Sequence, residues 1–186
     1  MKFSHPLMQS NFTKSDIIAA TKILRKKNII LTQSKQVQEF EKKWSKWLGV
    51  KYTVFVNSGS SANFLTMAAL KLLYGKGEII VPSLTWVSDI VSVIQNNFKP
   101  VFVDINPKNL CMSESQIIKK VNNKTLAVFM THVQGFNGLS DKLISFLKKR
   151  KILLIEDVCE SHGATFNNKK LGTFGKISNF SFYYAH

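Results

Sequence analysis

Two acids, Glu156 and Asp157, stand directly after the apolar run Ile152-Leu153-Leu154-Ile155. A run of that length and composition reads as a buried strand. The carboxyl ends of parallel strands are where open α/β sheets hold their ligands. A carboxylate there can hold a protonated heteroaromatic nitrogen through a charge-assisted hydrogen bond. It can equally serve as a helix cap or a salt-bridge partner. Glu160 follows closely enough to join the same site, whereas His162 reads as a structural hydrogen-bonding group. Downstream, Phe180-Ser181-Phe182-Tyr183-Tyr184 forms a second apolar stretch, and the chain ends on His186. Alternation turns Ser181 to the face opposite the two phenylalanine rings, where a hydroxyl can support a phosphate. Asp157, Ser181 and His186 are read as converging on one cofactor.

Two other strand exits carry chemistry. In Val56-Asn57-Ser58-Gly59-Ser60-Ser61-Ala62-Asn63 the small residues let the backbone approach a ligand, and the first N–H groups of the following helix make an anion site. The same residues also read as a plain N-cap by Ser60 or Ser61, and the pattern supports the two readings equally. In Pro82-Ser83-Leu84-Thr85-Trp86, the tryptophan can offer a flat face to a planar ring. Taken without other residues it reads better as a buried side chain. No GxSxG elbow or HExxH pair is present, and His5, His132, His162 and His186 lack metal-ligand spacing.

The elements that must position these residues follow from periodicity. Thr13-x-x-Asp16 is a capping-box start for a helix with Ile17, Ile18, Thr21 and Leu24 on one face. A second helix from about Ser34 carries Val37, Phe40, Trp44, Trp47 and Leu48, read as core packing, and stops at Gly49. Strands then alternate with helices: strands over 52–56, 78–81, 100–103, 126–130 and 152–155, helices over 60–73, 86–96, 113–121 and 139–150. That alternation predicts a mostly parallel sheet covered by helices on both faces.

Composition excludes several classes. With 186 residues, 45% hydrophobic and 20% charged, the chain can bury a core. No apolar run is long enough to span a bilayer. The N-terminus lacks a secretory h-region, and Cys111 and Cys159 make neither a disulfide framework nor a metal cluster. A reduced, cytoplasmic protein is expected. The net charge of +15 is read as a lysine-rich solvated surface rather than a nucleic-acid footprint, because the lysines are scattered or paired. Such a field still gathers anionic, phosphate-bearing substrates.

Five blocks in order resemble the DegT/DnrJ/EryC1/StrS sugar-nucleotide aminotransferase family: LTQSKQVQEFEKKWSKWLGVKY, VNSGSSANFLTMAAL, VPSLTWVSDIVSVIQNNFKPVFVDINP, IEDVCESHGATFNNKKLGTFGKIS and FSFYYAH. The resemblance implies an aspartate-aminotransferase-type large domain, a three-layer α/β/α sandwich. It implies pyridoxal 5'-phosphate or pyridoxamine 5'-phosphate as cofactor. Asp157 would bind the ring nitrogen and keep it protonated, and Trp86 would stack on the ring. Gly59, Ser60, Ser61 and Ser181 would hold the phosphate. Glu160 matches a position near the cofactor. The family chain is roughly twice as long. Residues 1–33 are therefore read as an N-terminal helical segment and 34–186 as part of the large domain, with the rest of that domain and the small domain missing. A homodimer with a shared site is expected, and the isolated chain is expected to be inactive, as a truncated piece.

One departure decides the chemistry the resemblance implies. The family's Schiff-base lysine is replaced here by His186, which resembles the deoxysugar 3-dehydratase branch. Imidazole forms no stable Schiff base but moves protons near neutral pH. The implied reaction is C3 dehydration of a nucleoside-diphosphate 4-keto-6-deoxyhexose, carried on GDP or CDP, in lipopolysaccharide O-antigen biosynthesis. His186 acts as base, and an amino donor such as glutamate restores the amine cofactor. A related branch uses an iron–sulfur cluster with a reductase, whose cysteines would lie beyond residue 186. The alternatives are an ordinary sugar-nucleotide aminotransferase or an inactive fragment.

Overall fold

The computed structural model describes residues 12–183, so the expectation for His186 lies outside the described residues. The described chain falls into two compact units, 12–55 and 56–183.

The first unit holds α1 (Lys14–Leu24) and α2 (Lys35–Leu48). The α1 start is a capping box: Thr13 accepts from the Asp16 N–H, and Asp16 accepts from the Thr13 N–H at 2.8 Å. Its apolar face stays exposed at Ile17, Ile18 and Leu24. On α2, helical spacing brings Phe40 onto Trp44 and Trp44 onto Trp47, with centroids 6.0 and 4.6 Å apart. Of the expected core stripe, Leu48 alone is buried; Phe40 and Trp44 are half-buried, Trp47 is exposed, and the three rings pack in series. Gly49 ends the helix with φ 86°, a left-handed turn that suits glycine.

Residues 52–56 form no strand, contrary to expectation. A strand needs a partner for its backbone groups. Here the Phe55 N–H instead donates to Glu41 Oε1 at 2.8 Å, and the Thr53 hydroxyl accepts from Ser45.

The second unit runs α3 (Gly59–Tyr74), β1 (Glu78–Pro82), α4 (Val87–Gln95), β2 (Lys99–Val103), α5 (Glu114–Lys120), β3 (Thr125–Thr131), α6 (Asp141–Arg150), β4 (Leu153–Asp157), a short β5–β6 hairpin (Thr165–Phe166, Lys169–Lys170) and β7 (Ile177–Asn179). Five strands pair in the order β2-β1-β3-β4-β7, every pairing parallel.

Strand alternation explains the two helical layers. Ile80, Val128, Met130 and Leu154 point to one face, where Ile117 of α5 and Leu143 and Leu147 of α6 meet them. Ile79, Val81, Ala127, Phe129 and Ile155 point to the other, against Met67 and Leu70 of α3 and Val93 of α4. Each fully buried side chain of this kind contributes about 1.5–3 kcal/mol. The near-continuous apolar runs in β1 and β3 reflect burial on both faces, the condition of a parallel sheet between helix layers. The expected three-layer α/β/α architecture is what the second unit adopts.

Candidate functional site

Chain order and sheet order diverge at β1. The strand after it, β2, pairs on one side; the next, β3, pairs on the other. Ligands bind outside the carboxyl ends of the strands at such a switch point. That edge carries Pro82 closing β1 with Ser83 to Thr85 after it, Thr131 closing β3, Asp157 closing β4 and Asn179 closing β7.

Alternation sends the two adjacent acids to opposite faces. Asp157 turns toward α3 and is buried. Its Oδ1 accepts the Cys159 N–H at 2.9 Å, and its Oδ2 lies 3.3 Å from Asn63 Nδ2. Two bonds leave acceptor capacity on a carboxylate that has about four lone-pair sites. Glu156 turns the other way. Its oxygens accept the N–H groups of Gly172 at 2.7 Å, Phe174 at 2.9 Å and Gly175 at 2.6 Å. A Cβ on Gly175 would stand 2.6 Å from the Leu154 carbonyl oxygen, so only glycine lets this loop close on Glu156. His132, also buried, accepts the Gly138 N–H at Nδ1, so its neutral ring carries hydrogen on Nε2. That atom faces Glu156 Oε1 at 3.4 Å, too poorly aligned for a hydrogen bond.

A polar network missing from the sequence reading surrounds Asp157. Asn63 Nδ2 also donates to Asp89 Oδ1 at 2.7 Å, and Asn63 Oδ1 accepts from Asn179 Nδ2 at 2.8 Å. Asn179 in turn accepts from Thr66. Asp89 Oδ2 takes the hydroxyls of Thr85 and Thr131. Burial, then the negative charge of Asp157, hold the Asp89 carboxyl well above the usual carboxylate range. Asn63, Asp89 and Asn179 lie on three separate elements. The one signal in sequence was Asp89 in the first turn of α4, which reads as routine helix-start chemistry.

Helix α3 starts at Gly59, and its cap is Ser58, not Ser60 or Ser61: the Ser58 hydroxyl accepts the Ser61 N–H at 3.1 Å. The N–H groups of Gly59 and Ser60 meet no acceptor among the described residues. A Cβ on Gly59 would stand 3.2 Å from Ser181 Cβ and 3.3 Å from Cys159 Sγ, so these two chain segments pack directly on the helix start. Ser181 lies opposite its flanking rings as alternation requires; Phe180 and Phe182 both pack edge-on to His162, at 5.4 and 5.2 Å. The backbone there is not strand, since β7 stops at Asn179. Burial and the nearby Asp157 push the Cys159 thiol far up, which leaves it inert as a nucleophile.

Trp86 is not buried. It is 71% exposed at the start of α4, with no ring partner among the described residues. Glu160 is exposed and accepts the Gln134 N–H at 3.3 Å, tied to the loop after β3. The structure thus brings Asp157, Gly59 and Ser181 to one edge, with Ser60 and Ser61 in the same helical turn and Trp86 at the neighbouring strand exit.

Known proteins resemble this chain along nearly its whole length. The chain is 36% identical over 188 residues to a GDP-4-keto-6-deoxy-D-mannose 3-dehydratase of Escherichia coli O55:H7, covering 98% of this chain and 48% of the relative. It is 34% identical to a GDP-perosamine synthase of Escherichia coli O157:H7, over 83% of this chain and 42% of that one. A solved structure of the E. coli 3-dehydratase with bound hydrated PLP superposes with a TM-score of 0.92 at 35% identity, across 98% of this chain and 48% of that chain. The chain spans about half the length of the curated relatives it matches. Residues 11–186 match the DegT/DnrJ/EryC1/StrS aminotransferase family profile, and the chain belongs to that family.

Proposed function

We propose that this chain is the cofactor-holding portion of a pyridoxal-phosphate-dependent sugar-nucleotide enzyme, with C3 dehydration of a GDP-linked 4-keto-6-deoxyhexose as its reaction. The observation that carries the reading is the pairing of two ligand groups on one helix. Asn63 of α3 bonds Asp157, the acceptor for a ring nitrogen. Four residues earlier, about 6 Å of helix rise, Gly59 and Ser60 hold unpartnered N–H groups beside Ser181. A phosphorylated pyridine needs an anionic acceptor at one end and an anion site at the other, and these residues fit it.

Bound there, pyridoxal or pyridoxamine phosphate supplies an electron sink. The chain's own residues do the rest. Asp157 accepts the ring N–H and balances its charge. The α3 start and the Ser181 hydroxyl hold the phosphate, helped by the helix dipole. Trp86 would offer its open face to the ring, and Glu160, on the loop after β4, would lie near it. His186, assigned from sequence alone, would serve as the base that moves a proton while the sugar's C3 hydroxyl leaves. Glutamate is the amino donor.

A second reading, sugar-nucleotide aminotransferase, is favoured by the likeness to GDP-perosamine synthase and opposed by histidine at 186. Turnover needs the length this chain does not span, and we place the whole enzyme in the cytoplasm as a homodimer of O-antigen biosynthesis. Exposed Phe64, Leu65, Leu72 and Leu73 on α3 support an apolar contact with that remaining length or with a second copy. Among the described residues no helix is long and apolar enough to cross a membrane.

The test extends the chain to the length of its relatives and supplies pyridoxal phosphate, glutamate and a GDP-4-keto-6-deoxyhexose. Mass spectrometry of the sugar reads loss of one oxygen atom, with C3–OH replaced by C3–H, if dehydration is right. Gain of an amine with retained oxygen at C3 supports the transaminase instead. With no bound cofactor in absorbance titrations, both readings fall.

A further inference from the structure

Asp89 is fully buried in the first turn of α4. The groups at its carboxyl come from four elements: Asn63 on α3, Thr85 ahead of α4, Thr131 at the end of β3, and Asp157 with Cys159 from the β4 side. Among the described residues, no lysine, arginine or histidine joins them.

Asp89 Oδ2, Thr85 Oγ1 and Thr131 Oγ1 form a triangle, with Thr131 2.7 Å from the carboxyl and 3.0 Å from Thr85. The two hydroxyls bring two hydrogens to three contacts. An ionised Asp89 therefore leaves one contact between two oxygens without a hydrogen. The neutral acid supplies the third, and every oxygen then donates once and accepts once. On the other side, one amide nitrogen, Asn63 Nδ2, reaches Asp89 Oδ1 at 2.7 Å and Asp157 Oδ2 at 3.3 Å. Two carboxyls bridged this closely in a buried setting do not both ionise readily.

We propose that Asp89 and Asp157 work as a one-proton pair in which Asp89 carries the proton, a positioning residue that leaves Asp157 as the single anion open to a cationic ring nitrogen. The pair stands on this geometry; its use by a ring cation rests on the cofactor reading above. The upward displacement of the Asp89 carboxyl, from burial first and the Asp157 charge second, runs in the same direction.

The experiment is isotope-edited infrared spectroscopy of the chain labelled with carbon-13 aspartate, followed against pH. The unmodified chain keeps a protonated-carboxyl band at neutral pH, and Asp89→Asn abolishes it. Asp157→Asn removes the neighbouring charge and lowers the band's titration midpoint by about one pH unit or more. A role for Asp89 in packing alone would leave that midpoint in place. Saturating pyridoxal phosphate, which brings a cation to Asp157, lowers it too. Absence of the band in the unmodified chain, which needs no variant to fold, overturns the pair, and so does a midpoint indifferent to Asp157→Asn. A midpoint that answers to Asp157→Asn but not to the cofactor supports the pair and counts against the cofactor reading.

Discussion

Glu156 and Asp157 are neighbours in sequence, both buried, and they serve opposite purposes. Glu156 has its charge consumed by three backbone N–H groups of one loop, with His132 standing behind it. It faces away from α3, and its work is to pin residues 172–175 to β4. Asp157 is bonded by one backbone N–H and, at longer range, by one amide. Its remaining acceptor capacity points to the edge where α3 begins. Burial and charge are shared by the two acids; the count of committed donors separates the one engaged in the fold from the one with more acceptor capacity to spare.

That contrast can be broken in several ways. Glu156→Leu should cost the most stability, about 3 kcal/mol or more, because three buried donors lose their acceptor. Urea denaturation reads it, and a loss under about 1 kcal/mol would mean that water replaces the carboxylate. Asp157→Asn should leave the denaturation midpoint nearly unchanged and weaken pyridoxal phosphate binding by about 2 kcal/mol, roughly thirtyfold, in an absorbance titration. The reverse pattern for the two variants would exchange their roles.

The pH dependence sharpens the comparison next. In the unfolded chain Asp89 titrates near 3.8, and in the folded chain higher. Its folded form binds the proton more tightly, so its contribution is fully present below pH 3.8 and is lost as pH rises toward the folded value. Stability relative to Asp89→Asn should fall by up to about 1.4 kcal/mol per pH unit across that interval. Melting temperatures of both proteins from pH 4 to pH 8 give the slope; parallel curves would mean that Asp89 ionises normally.

Two smaller effects concern the ligand edge. Gly59→Ala crowds Ser181 and Cys159 and should weaken pyridoxal phosphate by about 1 kcal/mol while leaving unphosphorylated pyridoxal unaffected. Equal losses for both ligands would move the phosphate elsewhere. Trp86→Ala should change stability by less than about 0.5 kcal/mol, since the ring is exposed, yet lower cofactor affinity about threefold. An unchanged affinity would remove Trp86 from the site.

Much of this was legible in the residues. The order of β1 to β4 and of α3 to α6 followed from runs such as Ile152–Ile155 and from the alternation of strand and helix periods. The positions of Asp157 at a strand end and Gly59 at a helix start were legible because both have local signatures, and the side Ser181 takes because alternation needs no partner to be read. The strand expected over 52–56 did not form, because pairing is a property of two segments. Trp86 read as buried by residue type, while its place at a strand exit left it open.

What the amino-acid sequence determined by itself was local: where the chain turns apolar, where it caps, and which residue types stand at each exit. Periodicity and capping act over a few residues, so they survive without the fold. Which acid faces the ligand edge, which serine closes α3, and the bridge from Asn63 to Asp89 and Asp157 were decided by tertiary structure alone. Those contacts join residues 26 and 94 positions apart, and only the packing of α3 and α4 on the parallel sheet brings such groups within hydrogen-bond reach.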